Sequence, residues 1–142
     1  MGILIDSSVL IDAERNRDDL PARIRGREEE DIFLSVISAS ELLHGVERAS
    51  AADVRARRRA FVEGLLGALP VLSIDLATAR LHAALWAGLA GRGEMIGVHD
   101  SWLAATCLAH GLRLATGNVR EFSRVPGLEI EDWSAAADEK RG

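Results

Sequence analysis

Short apolar runs alternate with stretches of helical periodicity along most of the 142-residue chain. The apolar runs predict strands at about 2–6, 32–35, 70–73, 112–116 and 128–131. Helical spacing and end signals predict helices at about 8–14, 39–49, 52–67, 76–90 and 100–110, with a charged amphipathic stretch at 18–30. This alternation is typical of βα units, so we predict one α/β domain over residues 1–133 with a largely parallel sheet. Residues 134–142 are predicted to form a flexible tail.

Two of the predicted helices carry specific packing expectations. Asp75 is placed to cap helix 76–90, whose buried stripe is predicted to comprise Ala79, Ala83, Trp86 and Leu89 or Ala90. Helix 100–110 is apolar almost all round, so we expect it to be central, with Gly111 as its C-terminal cap.

Four polar residues each follow an apolar segment that is predicted as a strand or strand end, and they are the main candidates for chemistry. They are Asp6 after Ile3–Ile5, Glu41 after Ile32–Ile37, Asp100 after Met95–Val98, and Asn118 after Leu112–Ala115. The carboxyl ends of parallel strands face one crevice, so residues distant in sequence are expected to meet there. Three carboxylates and an amide are all oxygen donors, which suits Mg²⁺ or Mn²⁺. The pattern therefore predicts a divalent metal site.

Each of the four residues also has a local alternative as a helix cap. Ser38-x-x-Glu41 matches a capping box, and taken alone that is the better explanation for Glu41. Asp6 and Asp100 each precede or open a helix, and Asn118-x-x-Glu121 is a further capping pattern. The agreement of four strand-end positions favours a shared site. The position of Asp6 also favours a metal site, because a carboxylate buried after a central strand is costly in free energy unless a metal or an arginine pairs with it.

Composition narrows the class of protein. The net charge of −5 argues mildly against non-specific coating of nucleic acid, and the arginine run at 55–59 is predicted to be a solvated helix face. Cys107 is the only cysteine, which excludes an internal disulfide and a cysteine zinc cluster and makes a reducing cytoplasm the default location. We expect Cys107 to be a core residue. No apolar stretch is long enough to predict a membrane span.

Other catalytic constellations have no support in the sequence. His44 and His99 are not in metal-ligand spacing with another histidine, so we expect them to be surface or supporting groups. No histidine is arranged with a serine or cysteine nucleophile, and no glycine-rich phosphate loop is present.

Four ordered segments, at 3–11, 37–45, 96–106 and 114–122, resemble the successive motifs of PIN domains, and more narrowly those of VapC-type toxins of bacterial toxin–antitoxin pairs. The resemblance extends from Gly2 to about Trp133. It implies a three-layer α/β/α sandwich with a central, mainly parallel sheet of four to five strands. It also implies a Mg²⁺- or Mn²⁺-dependent endoribonuclease that forms a homodimer. A cognate antitoxin, itself a small DNA-binding protein, would cover the cleft, so contact with DNA would be indirect.

The resemblance also assigns residues. Asp6, Glu41 and Asp100 match the first three acidic positions of the family. Asn118 matches the fourth, which is aspartate in many members, and Glu121 is a substitute for it if its side chain reaches the site. The family's small hydroxyl positions that line the site correspond to Ser7 and Thr116.

The resulting hypothesis is hydrolysis of an RNA phosphodiester by in-line attack of a metal-activated water. Asp6 and Asp100 would hold the cation, and Asn118 would supply a neutral oxygen directly or through water. Glu41 would complete the shell or orient the water, and rim arginines such as Arg15 or Arg120 would position phosphates. Replacing Asp6 or Asp100 with alanine is expected to abolish cleavage and to leave the fold intact.

Three rival functions are considered. A haloacid-dehalogenase-like phosphatase needs a second aspartate two residues after Asp6, where this chain has Ser8. A response-regulator receiver needs a lysine at a late strand end, whereas Lys140 lies in the predicted tail. The third rival is a catalytically weak PIN-like binding module that acts through an antitoxin–DNA complex. Asn118, in place of an acid, is the feature that supports it.

Overall fold

The computed structural model of the protein describes residues 1–16, 27 and 29–134. Its strands are β1 Ile3–Ile5, β2 Ile32–Ser35, β3 Val71–Leu72, β4 Arg113–Thr116 and β5 Ile130–Asp132. Its helices are α1 Ser7–Asn16, α2 Val36–Arg48, α3 Ala52–Ala68, α4 Leu76–Gly91, α5 Val98–His110 and α6 Val119–Phe122. Most of the predicted amphipathic stretch at 18–30 and of the predicted tail at 134–142 lies outside the described residues.

The strands form one sheet in the order β3-β2-β1-β4-β5, and every neighbouring pair is parallel. β1 is central and pairs with β2 through Ile3 and Ile32, and with β4 through Leu4 and Leu114. The predicted α/β fold with a parallel sheet of four to five strands is therefore confirmed.

Side chains of β1 alternate between two hydrophobic cores, one on each face of the sheet. Ile3 and Ile5 pack with residues of α1, α2 and α3, whereas Leu4 packs with residues of α4, α5 and α6. All three side chains are fully buried, and each contributes about 1.5–3 kcal/mol by leaving water. Helices on both faces explain why β1 is a continuous apolar run and does not alternate with polar residues.

Helix α2 begins earlier than the sequence predicts. Ser35 is its N-cap, and the Ser35 Oγ accepts the backbone N–H of Ile37 at 3.0 Å. Ser38 Oγ is buried with no hydrogen-bond partner among the described residues. The predicted capping box of Ser38 and Glu41 is therefore wrong. Val36 and Ile37 extend the apolar run of β2, but the Ser35 hydroxyl ends the strand by capping the helix.

Helix α5 also begins before its predicted start. Its N-cap is Gly97, so Asp100 lies in the first turn and residues 95–97 are not a strand. Gly111 ends the helix with φ of 65°, the left-handed conformation that favours glycine, and this prediction is confirmed. Cys107 is 1% exposed in the core, as predicted, and burial raises the pKa of its thiol to about 12.

The predicted buried stripe of α4 is displaced by about one residue. Asp75 does cap the helix, since its Oδ1 accepts the backbone N–H of Thr78 at 2.8 Å. The fully buried positions are Thr78, His82 and Leu89, whereas Trp86 is 50% exposed. Six of the 16 residues of this helix are alanine and most of the others are apolar, so several stripes have the correct period and only packing selects one. In the part of the chain that the structure describes, no helix is both long enough and apolar enough to cross a membrane.

Candidate active site

Asp6 lies where the central strand meets α1, and hydroxyl groups surround its carboxylate. Ser8 Oγ and Thr116 Oγ1 each donate to Oδ2 at 2.8 Å, and Ser7 Oγ donates to Oδ1 at 3.4 Å. Parallel pairing of β1 with β4 brings Thr116 to the same end of the sheet. The side chain is 4% exposed, so these neutral donors replace much of the water that a carboxylate would otherwise bind.

The turn after β4 orients two of these hydroxyls. Thr116 Oγ1 accepts the backbone N–H of Asn118 at 2.9 Å, and Ser8 Oγ accepts that of Gly117 at 3.3 Å. The hydroxyl oxygens of Ser8 and Thr116 therefore each accept a backbone amide, and their protons are donated to Asp6. The resemblance placed Ser7 and Thr116 beside the site, and in the structure both donate hydrogen bonds to Asp6. Ser8 belongs to the same motif, but the sequence analysis did not name it as a site residue.

A pair of carboxylates, Asp100 of α5 and Glu121 of α6, lies beside the start of α5. Glu121 on α6 accepts the backbone N–H of Gly97 through Oε1 at 2.8 Å and the Asn118 side-chain N–H through Oε2 at 2.7 Å. Asp100 is hydrogen-bonded to Glu121 as well. A Cβ placed on Gly97 would lie 3.5 Å from Asp100 Oδ2 and 3.8 Å from Glu121 Oε1, so both carboxylates lie directly over this glycine.

The electrostatics of this pair are asymmetric. Burial raises the pKa of Asp100 to about 7, and the nearby charges of Asp6, Glu121 and Glu41 act in the same direction. The Gly97 amide, followed by the hydrogen bonds from Asn118 and Asp100, lowers the pKa of Glu121. Below about pH 7 Asp100 therefore carries a proton, which it donates to Glu121. Three other carboxylates thus act on Asp100 at this end of the sheet.

Glu41 reaches the site from the second turn of α2 and not from a strand end. Its Oε2 is 3.7 Å from His99 Nδ1, and its Oε1 is buried with no hydrogen-bond partner within the described ranges. An unpartnered buried carboxylate oxygen is costly without a ligand. His99 is half exposed beside Glu41, and His44 is exposed, in agreement with their predicted supporting or surface positions.

A cleft of about 360 Å³ opens beside Glu41, between α1, α2 and α3. Apolar side chains line part of it, and its basic lining residues are Arg15, Arg48, Arg58, His44 and His99. Arg15 therefore borders the cleft, as the sequence analysis proposed for a phosphate-positioning residue. Arg120 is exposed on α6, outside this lining.

Three of the predicted metal ligands, Asp6, Glu41 and Asp100, lie near enough for the charges of the first two to act on the third, and Glu121 acts on Asp100 as well. The fourth predicted ligand, Asn118, donates its amide N–H to Glu121 and thus orients that carboxylate. Across residues 1–16, 27 and 29–134, no three acidic, histidine or cysteine side chains are grouped closely enough to hold an ion. The donors are nevertheless carboxylate oxygens, the type that Mg²⁺ and Mn²⁺ prefer.

Comparisons with known proteins agree on one family. The model of the PIN domain matches residues 3–128. The chain is similar to the tRNA(fMet)-specific endonuclease VapC of Salmonella typhimurium, with 34% identity over 92% of this chain and 96% of that protein. The DNA-bound VapBC structure from Salmonella typhimurium superimposes with a TM-score of 0.85 at 31% identity, over 94% of this chain and 98% of that one. VapBC-5 of Mycobacterium tuberculosis, from a toxin–antitoxin family, gives 0.72 at 27% identity, over 94% and 98%.

Proposed function

Because this chain belongs to the PIN-domain family, and within it to the VapC group, we propose that it is an endoribonuclease toxin that hydrolyses RNA phosphodiester bonds. The observation that carries the proposal is that three other acidic side chains, Asp6, Glu41 and Glu121, act on Asp100 at one end of the sheet. Burial, followed by the charges of these acids, raises the pKa of Asp100 to about 7. A site that concentrates negative charge in this way is suited to a cation.

A divalent cation, Mg²⁺ or Mn²⁺, is part of this proposal. Asp6 and Asp100 would hold it, with Glu41 and Glu121 as further oxygen ligands, directly or through water. The buried, unpartnered Oε1 of Glu41 fits this assignment. When bound, the cation supplies acidification of the attacking water and neutralisation of charge on the phosphoryl oxygens.

The protein's own groups prepare these ligands. Ser8 and Thr116 fix the Asp6 carboxylate, while Gly97 and Asn118 fix that of Glu121. Asp100 must lose its proton before it can serve as an anionic ligand, so we expect cation affinity to rise with pH through about 7. Asn118 acts here as the donor that keeps Glu121 directed at the site, instead of as the neutral metal ligand first expected.

The cleft beside Glu41 gives the substrate a path. Its arginines suit the phosphates of an RNA strand, and its apolar lining suits unstacked bases. The Salmonella typhimurium relative is named a tRNA(fMet)-specific endonuclease, so we propose tRNA as the first substrate class to test.

Partners follow from the same family membership. We propose a cognate antitoxin that covers the cleft and that brings the complex to DNA, as in the DNA-bound VapBC structure. We also propose a homodimer. Exposed apolar side chains on α4, among them Leu76, Leu81 and Trp86, support a protein interface on that helix.

The alternative is a catalytically weak binding module that acts only within an antitoxin–DNA complex. The observation in its favour is Asn118, which stands where many family members have an acid. Glu121 weakens this alternative, because its carboxylate lies beside Asp100 and restores a fourth acid to the site.

The test is cleavage of total cellular RNA and of purified tRNA by the full chain with Mg²⁺, with Mn²⁺ and with EDTA. We expect discrete fragments only in the metal-containing reactions, and none with the Asp100→Ala variant. Cleavage that persists in EDTA, or that Asp100→Ala retains, would rule out the proposed mechanism. Metal binding without any cleavage would favour the binding module.

A further inference from the structure

A buried polar cluster lies between α4 and α5, immediately beside the turn that carries Asp100. His82 of α4 is 5% exposed, and its Nε2 is 2.8 Å from Ser101 Oγ. Its ring stacks on Trp102, with centroids 3.7 Å apart and planes 3° from parallel. Neither the proposed mechanism nor the sequence analysis assigns a role to His82.

The hydrogen bonds of this cluster fix the tautomer of the histidine. Ser101 Oγ donates its proton to the backbone carbonyl of Val98 at 2.8 Å. The hydroxyl therefore accepts from His82, which places the ring proton on Nε2. Burial lowers the pKa of His82, and the ring is accordingly neutral.

The first turn of α5 depends on such contacts, because it has no side-chain cap. Gly97, its N-cap residue, offers no side chain to the free amides of the turn. On the α6 side, Glu121 accepts the Gly97 N–H. On the α4 side, His82 holds Ser101, the residue that follows Asp100. The turn is thus held from two directions, and Asp100 lies between the two contacts.

We propose that His82 is a positioning residue for the metal site: through Ser101 it fixes the first turn of α5, and thereby the direction of Asp100. This inference rests on the proposed cation site. Packing alone does not require the imidazole, because an apolar ring of similar size would fill the same space and would also stack on Trp102. A residue that only fills space would not need the Nε2–H donor, whereas a residue that positions Ser101 does need it.

The experiment compares three variants of the full chain with a matched control. His82→Phe keeps a stacked ring without the donor, His82→Gln keeps an N–H near the position of Nε2, and Ser101→Ala removes the acceptor. The control is His110→Phe, at the exposed C-terminal end of α5, the helix that carries Ser101. Mn²⁺ affinity is measured without RNA by electron paramagnetic resonance, alongside the thermal unfolding midpoint in EDTA. The kcat and KM for RNA are then determined at saturating Mg²⁺.

We expect His82→Phe and Ser101→Ala to weaken Mn²⁺ binding by about 10-fold, the lower end of the effect seen for groups that orient metal ligands. His82→Gln should recover Mn²⁺ binding to within about 3-fold of the original, and His110→Phe should leave it unchanged. The KM for RNA at saturating metal should not change, because no substrate contact is removed.

Unchanged Mn²⁺ affinity in His82→Phe and Ser101→Ala, whatever their unfolding midpoints, would overturn the inference and leave His82 as a packing residue. If His82→Phe does not fold, Ser101→Ala decides the question, since it removes a single oxygen. A chain that binds Mn²⁺ but does not cleave RNA would refute the proposed function, while the Mn²⁺ affinities would still test His82. A chain that binds no Mn²⁺ would refute both.

Discussion

The two sides of the candidate active site use the same residue type under opposite conditions. On one side, Asp6 is nearly fully buried, yet three hydroxyl groups donate to its carboxylate. On the other side, burial raises the pKa of Asp100 to about 7, and the charges of the neighbouring acids Asp6, Glu121 and Glu41 act in the same direction. The two sides therefore differ in what surrounds the carboxylate, which is hydroxyl donors at Asp6 and other acids at Asp100.

Asp6 and Asp100 are therefore expected to contribute differently to the stability of the protein, although both belong to the same candidate site. Asp6 is held by neutral donors and forms part of the framework between β1 and β4. Asp100 is held against repulsion, so the apo protein stores an unfavourable interaction there that a cation would relieve. The same mutation should consequently have different effects on stability at the two positions.

The largest expected effect concerns activity. Asp100→Asn should reduce RNA cleavage by more than about 100-fold, since changes to groups that merely orient a ligand already cost 10–100-fold. At pH 8, where Asp100 is ionised, its stability in EDTA should equal or exceed that of the original chain, because repulsion with Glu121 and Glu41 is removed. Cleavage rates and urea unfolding check this, with Asp53→Asn on the exposed face of α3 as the control. Loss of stability in Asp100→Asn would show that the repulsion is not dominant.

Asp6→Ala should lose cleavage too, but here we expect a cost in stability. The hydroxyls of Ser8 and Thr116 would lose a buried acceptor, which costs about 1–3 kcal/mol in the free energy of unfolding. This revises the expectation from sequence that the fold would be unaffected. Urea unfolding in EDTA measures the change. If Asp6→Ala proves as stable as Asp100→Asn, the contrast between the two sides is refuted.

The third prediction uses pH to isolate Asp100. Its pKa is about 7 in the folded chain, against 3.8 for an unperturbed aspartate, so the folded state binds more protons between these two pH values. Stability from this group is therefore greatest at low pH and is lost as pH rises from about 4 to about 7. Burial lowers the pKa of His82, so below pH 6.5 the unfolded state binds the extra proton there, and this lowers the stability of the folded chain as the pH falls. The effect of His82 on stability is thus opposite to that of Asp100. The measurement is accordingly the difference in unfolding midpoint between the original chain and Asp100→Asn, in EDTA.

That difference should grow from pH 5 to pH 8, with the variant becoming the relatively more stable protein by a few degrees. Saturating Mg²⁺ at pH 8 should reverse it, because only the original chain retains the full ligand set. A difference that does not depend on pH would show that Asp100 is ionised throughout this range.

The smallest expected effect is at Asn118. Asn118→Asp replaces an N–H donor to Glu121 with another negative charge, so stability in EDTA should fall by about 1 kcal/mol while Mn²⁺ affinity increases. Asn118→Ala removes the donor without adding charge, and it should lower both quantities slightly. Calorimetric titration with Mn²⁺ distinguishes the two variants. Weaker Mn²⁺ binding in Asn118→Asp would mean that Asn118 is needed specifically as a donor.

The sequence predicted the architecture well because its elements have local signals. The run Ile3–Ile5 is apolar at every position, as expected for a strand covered on both faces, and Gly111 adopts the left-handed cap that ends α5. Element starts were predicted less well. Ser35 and Ser38 are both adequate N-caps by residue type, and only the path of the chain after β2 selected the first.

The site was predicted as a set of residues but not as a set of contacts. Asp6, Glu41 and Asp100 could be named because each follows an apolar run in a motif of known order. The link between Glu121 and the Gly97 amide spans 24 positions, and that between His82 and Ser101 spans 19. Side-chain hydrogen bonds over such separations have no periodicity in the sequence.

By itself, the sequence determined the fold class and the family, and it named Asp6, Glu41 and Asp100 as candidate ligands, because these depend on residue type and on short-range hydrophobic patterns. Only the tertiary structure decided which acid has a raised pKa, that Glu121 is the acid hydrogen-bonded to Asn118 beside Asp100, and which face of α4 is buried. Those properties depend on burial and on the distance between charges, and both are set when elements that are distant along the chain pack together.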